Sequence, residues 1–141
     1  MMIKTICLSC TSLMLFISAS AQSDQKEYGA IATTLNYYLE GGTNNDFETL
    51  KKAFHKEASM QFIGNDGHQS VNAIDFFEKG MKPGPKQNRT TKIESIQIAG
   101  NAAKATLHID YETFRFVDYM TLLKIEGEWK VVSKVFYRQT W

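Results

Sequence analysis

From Thr90 to the C-terminus the chain alternates apolar and polar residues with period two, broken by turn signals at Gly100-Asn101 and Glu126-Gly127. That period sends successive side chains to opposite faces of a strand, so this half is expected to form an antiparallel sheet of long strands. Ala103, Ala105, Leu107, Ile109 and Tyr111 share one face, and Lys104, Thr106, His108, Asp110 and Glu112 share the other. Such a strand has one buried and one wet side. The closing strands, 116–126 and 128–138, are apolar on both faces for much of their length. Helices can cover only one face of a sheet. Val132 and Phe136, alternating with Val131, Ser133 and Val135, are therefore expected to meet a second subunit and form a homodimer through the sheet.

The first half is helical before it becomes extended. Tyr28, Ile31, Ala32, Leu35, Tyr38 and Leu39 recur at helical spacing, and Gly41-Gly42 is expected to stop that helix as a left-handed cap. Asn45 followed by Glu48 predicts a capping-box start for a short second helix, with Phe47, Leu50, Ala53 and Phe54 as its buried stripe. Ala58, Met60 and Phe62 alternate with Ser59, Gln61 and Ile63 up to the turn Gly64-Asn65-Asp66-Gly67, which predicts a strand and a short return strand over 68–71. Asn72 with Asp75 begins a third helix ending near Gly80, ahead of the loop Lys82-Pro83-Gly84-Pro85-Lys86. The fold class is α+β.

Residues 1–21 have the pattern of a secretory signal: Lys4, an apolar run through Leu13-Met14-Leu15-Phe16-Ile17, and Ala19-Ser20-Ala21 before the polar Gln22. Cleavage after Ala21 would place a domain of residues 22–141 in the periplasm or outside the cell. Acylation at Cys10 is the lipoprotein alternative. Both cysteines, Cys7 and Cys10, fall in the removed segment, so the mature chain is expected to have no thiol, disulfide or cysteine metal ligand. With 16 Lys+Arg against 15 Asp+Glu the chain lacks the basic footprint of nucleic-acid binding. No stretch is long enough to span a bilayer after processing. Neither a Gly-rich phosphate loop, a serine-nucleophile motif nor a basic-aromatic stripe occurs, and Asn88-Arg89-Thr90 is a glycosylation sequon.

The run from Asp118-Tyr119-Met120-Thr121-Leu122 through Glu128-Trp129-Lys130-Val131-Val132 to Lys134-Val135-Phe136 resembles the putative lumazine-binding family of the nuclear transport factor 2-like (SnoaL-like) superfamily. Phe54-His55-Lys56-Glu57-Ala58 is similar to that family's Phe-His-Pro-Asp-Ala segment, with Lys56 where the proline is usual. The similarity covers residues 27–138. It implies a cone of three N-terminal helices on a curved antiparallel sheet, an apolar pocket and commonly a dimer. It implies no reaction, because the superfamily holds isomerases, dehydratases and hydrolases beside carriers and binding proteins.

Three groups could carry acid–base chemistry. His55, at the end of the second helix, could transfer a proton near neutral pH or simply cap and pack. Asp118, in a mostly apolar strand beside Tyr119, could be a general base with Tyr119 as hydrogen-bond donor, or the partner of Arg115 or Lys134 in an ion pair. His108 and Asp110 point the same way, as an acid–base couple or as a solvated pair. His68, beside a turn, is given no role. Three histidines without shared short spacing predict no metal site, and no cofactor is expected. Among the many aromatic and methionine residues, Tyr38, Met60, Phe62, Phe77 and Phe114 are expected to line a pocket for a small apolar or flat heteroaromatic ligand. The leading expectation is therefore an exported ligand-binding domain without assigned catalysis. Its rivals are an enzyme using a pocket carboxylate or histidine as base (isomerase, dehydratase or epoxide hydrolase), and an interaction domain with a filled pocket.

Overall fold

The computed structural model describes residues 12–141, with side chains from Gln22 onward; the expected signal segment lies outside the residues whose side chains are described. Three helices, α1 (Ser12–Thr43), α2 (Phe47–Leu50, continued by a 3-10 turn at Lys51–Ala53) and α3 (Ala73–Gly80), pack with six strands. These are β1 (Phe54–Gly64), β2 (Gly67–Asn72), β3 (Thr90–Ala99), β4 (Ala102–Asp110), β5 (Phe114–Ile125) and β6 (Glu128–Thr140). They form one sheet in the order β2-β1-β6-β5-β4-β3. The last four strands are an antiparallel meander, but β1 joins β6 in parallel, so the sheet is mixed rather than antiparallel throughout.

Helix α1 forms the inner layer because Ile31, Leu35 and Leu39 repeat on one face and reach the buried Leu107, Met120, Leu122 and Val131 of the sheet. Two polar ties set its position. Thr34 Oγ1 donates to the Trp129 carbonyl at 3.0 Å, and Glu27 accepts from Lys124 Nζ and Trp129 Nε1, both at 2.7 Å. Those two hydrogen bonds hold the Glu27 carboxyl below its ordinary pKa.

The glycine pair does not end α1. The helix runs on to Thr43, and the left-handed residue is Asn45, with φ 53°. Asparagine tolerates that conformation, so Asn45 makes the turn and the capping role moves to Asp46, whose side chain accepts from Thr49 N at 3.1 Å. Gly41 serves a different purpose. A Cβ there would lie 2.4 Å from the backbone nitrogen of Leu50, so a bare backbone is what lets α1 and α2 cross. Strand β1 already begins at Phe54, which places His55 at the start of a strand and not at the end of a helix.

One bulge decides which faces the β6 residues take. Thr121 pairs with Ser133 and Leu122 with Val131, leaving Val132 as the extra residue. The alternation changes phase there. Trp129 and Val131 before it, and Lys134 and Phe136 after it, all face inward, so the expectation that Phe136 meets a second subunit is corrected. The outer face instead exposes Tyr119, Leu123, Val135 and Tyr137.

Candidate functional site

The curved sheet, α1 and α3 enclose a cavity of about 240 Å³. Its apolar walls are Met60 of β1, Phe76 and Phe77 of α3, Ile109 of β4, Phe116 of β5 and Phe136 of β6. Its polar groups are Tyr38, Arg89, Tyr111 and Lys134. Asn72 makes this possible locally, because its side chain accepts from Asp75 N at 3.1 Å and starts α3 where the aromatic pair can fold back. Phe77 then meets Tyr38 and Phe54, at centroid distances of 5.8 and 5.7 Å, and closes one side. A larger depression of about 410 Å³ lies around Gln97, Lys104, Thr121 and Val132, but among the described residues it holds no buried ionisable group.

The chemistry of the inner cavity centres on β5 and β6. Asp118 is fully buried, and Lys134 is 3% exposed. Lys134 Nζ donates to Asp118 Oδ1, and Tyr38 OH donates to Oδ2 at 2.6 Å. Both carboxylate oxygens are thus held by buried donors. The ammonium also lies 4.2 Å from the centroid of the Phe136 ring, a cation–π contact within dry walls. Burial pushes the Lys134 amine below its ordinary pKa, with Asp118 pulling the other way. Burial and the Asp118 charge push the Tyr38 hydroxyl well above its ordinary value, so it stays a donor.

Tyr38, Met60 and Phe77 line the cavity. Phe62 stacks on Phe136 at 4.9 Å and Phe114 on Tyr111 at 4.6 Å, which places each one layer behind a lining ring. Of the two partners considered for Asp118, Lys134 is the one that pairs with it, while Arg115 binds Asp110. Tyr119 is 56% exposed on the outer face and cannot donate to anything in the cavity. His55 lies outside the lining, its Nδ1 accepting from Glu57 N at 3.3 Å. His108 turns to Glu94, 3.7 Å away, so it and Asp110 have separate partners. His55 and Asp118 therefore do not converge, and the tyrosine that serves Asp118 is Tyr38. Among the described residues no three His, Cys, Asp or Glu side chains gather as a metal site would require.

Sequence reasoning missed Arg89, Gln87 and Tyr111 as site residues. Arg89 was visible only as the middle of a sequon, and only the loop ahead of β3 brings it against α1.

A helix-lined cone with a mostly apolar cavity and a few convergent polar groups defines a nuclear transport factor 2-like α+β domain. The family model described as putative lumazine-binding matches residues 26–137, and the chain belongs to that family. An NTF2-like protein of unknown function from Shewanella baltica OS155 is 32% identical, with a TM-score of 0.74 over 82% of this chain and 96% of that one. Another from Methylobacillus flagellatus KT is 29% identical, with a TM-score of 0.72 over 82% of this chain and 94% of that one. The chain is also similar to aldolase FrzH from Cladobotryum sp., at 22% identity over 79% of this chain and 90% of that protein.

Proposed function

We propose that the chain is an exported small-molecule-binding protein whose cone holds a small, flat or apolar ligand. The observation that carries this reading is the aromatic-walled cavity into which Tyr38 and Lys134, both tied to the buried Asp118, present polar groups. Native mass spectrometry of the protein purified from its own host tests it. A retained small molecule of uniform mass is expected, and a ligand-free cavity that no aromatic probe enters would refute it.

Export and pairing belong to the same reading. N-terminal sequencing of the mature protein is expected to begin at Gln22; a retained Met1 or a fatty acid on Cys10 would contradict that. Homodimerisation is supported by the uncovered outer patch of Tyr119, Leu123, Val135 and Tyr137. Val135→Glu is expected to convert dimers to monomers in sedimentation, whereas a monomeric wild type at micromolar concentration would end this proposal.

An enzyme is the second reading, favoured by the buried amine–carboxylate–phenol cluster and by the aldolase among the relatives. Its acid–base groups would be Lys134, Asp118 and Tyr38, not His55 or Tyr119. Asp118→Asn would then keep ligand affinity within a few-fold and lower turnover by at least about 10²-fold.

A further inference from the structure

Arg89 is the group in the cavity that the ligand-binding reading has not yet used. It enters from the loop before β3 and is held by three hydrogen bonds. Nε donates to Thr43 Oγ1 at 2.9 Å, Nη1 to Tyr111 OH at 2.9 Å and Nη2 to the Leu39 carbonyl at 3.2 Å. A guanidinium has five N–H donors, so one remains on each terminal nitrogen, the fork that a carboxylate matches. Among the described residues no carboxylate lies within ion-pair distance of it.

The surroundings keep that fork in place. Tyr111 OH donates to Gln87 Oε1 at 2.7 Å, which leaves its lone pairs to Arg89. Gln87 in turn donates from Nε2 to the Gly42 carbonyl at 2.7 Å and from its backbone nitrogen to the Thr43 carbonyl at 2.8 Å. Gly42 itself makes the room, because a Cβ there would stand 2.4 Å from Arg89 Nη2. An arginine so positioned, with a glycine vacating its space, is pre-organised rather than trailing in solvent.

Charge limits what can dock. Lys134 is compensated by Asp118 and Tyr38 stays neutral, so among the described residues the cavity carries one uncompensated positive charge, that of Arg89. A monoanion balances it. A dianion would leave excess negative charge against apolar walls.

We infer that the ligand of this cavity is a small carboxylic acid with a flat apolar body, its carboxylate docked on Arg89 and its body among Met60, Phe77, Phe116 and Phe136. This inference rests on the ligand-binding reading and names its ligand class.

The test is calorimetric titration of the intact mature protein near neutral pH with two matched pairs, 2-naphthoate against 2-naphthamide and cinnamate against cinnamamide. The wild type is expected to bind each acid at least about tenfold more tightly than its amide, as a charge-assisted pair in a mostly apolar site implies. Arg89→Gln should reduce that preference to within about twofold, with acid affinity falling much further than amide affinity. Because this variant also strips Thr43, Tyr111 and Leu39 of a donor and could fail to fold, Gly42→Ala is the second probe. It keeps every charge, suits a helix, and swings the guanidinium aside. It should stay folded, melting somewhat below the wild type because the same three hydrogen bonds are loosened, and lose most of the acid preference. Equal binding of acid and amide by the wild type, or a preference that survives both variants, overturns the inference and leaves the binding reading standing. Binding of neither overturns both.

Discussion

Asp118→Asn is expected to melt roughly 10–20 °C below the wild type, because breaking a buried ion pair costs about 3–5 kcal/mol and a domain of this size loses about 4 °C per kcal/mol. An exposed pair would cost under about 1 kcal/mol, and the complete burial of Asp118 decides between the two. The damage lies in what remains. Lys134 would keep its charge in dry surroundings without an anion, and Tyr38 would lose an ionised acceptor. The loss should shrink as pH rises. The folded-state pKa of Lys134 already lies below its ordinary 10.5, so between the two values the unfolded chain binds a proton that the folded chain does not, and stability rises with pH there. Removing Asp118 deepens that depression and opens the window at lower pH. The difference between variant and wild type should therefore narrow in urea titrations as pH rises from neutrality toward 10.5. Tyr38 acts in the opposite sense only above its ordinary 10.0, where the unfolded tyrosine ionises first and the stability it contributes is lost. Replacing both partners, Asp118→Leu with Lys134→Met, should recover part of the melting temperature, the remainder being the Tyr38 hydroxyl left without its acceptor. A single Asp118→Asn variant within about 2 °C of the wild type would show that the pair is not buried as described.

Gly41→Ala is expected to destabilise the fold by about 3 kcal/mol or more, while the adjacent Gly42→Ala costs clearly less. Helix propensity alone predicts about 1 kcal/mol of stabilisation at both positions, since each lies within α1. The neighbours separate them. At Gly41 the new methyl would meet the Leu50 nitrogen at 2.4 Å, the Leu50 Cα at 2.7 Å and the Asp46 carbonyl oxygen at 2.8 Å, all backbone atoms of a second element. At Gly42 it meets the end of the Arg89 side chain, which can shift at the cost of its hydrogen bonds. Chemical denaturation of the two variants side by side measures the difference. Equal stability would mean that α1 and α2 do not approach as closely as the crossing requires.

The strands show how much of this fold was legible in the sequence. Period-two alternation placed β4 with its buried and wet faces correctly, since that periodicity is local and each side chain's face follows from its neighbours along the strand. The turns at Gly64-Asn65-Asp66-Gly67, Gly100-Asn101 and Glu126-Gly127 were equally legible, because a positive φ there selects glycine at Gly67, Gly100 and Gly127. The capping pair Asn72 and Asp75 marked α3 for the same reason of short range. β6 was where this reasoning failed. A single extra residue, Val132, reverses the alternation, and nothing in the string of residues distinguishes a bulge from an ordinary strand position.

The candidate site divides along the same line. Tyr38, Met60 and Phe77 could be named from apolar periodicity, and Asp118 from the oddity of a carboxylate in an apolar strand. The sequence by itself determined the α+β class, the order of the elements, the family and that Asp118 needs a partner, all of which depend on residues close together in the chain. Only the tertiary structure decided that the partner is Lys134, that Tyr38 and not Tyr119 serves the other oxygen, that β1 runs parallel to β6, and that Arg89 reaches the cavity across the end of α1. Tyr38 and Asp118 stand 80 residues apart and Arg89 and Leu39 stand 50 apart, so their meeting depends on how a bulged sheet closes around a helix, which no local pattern encodes.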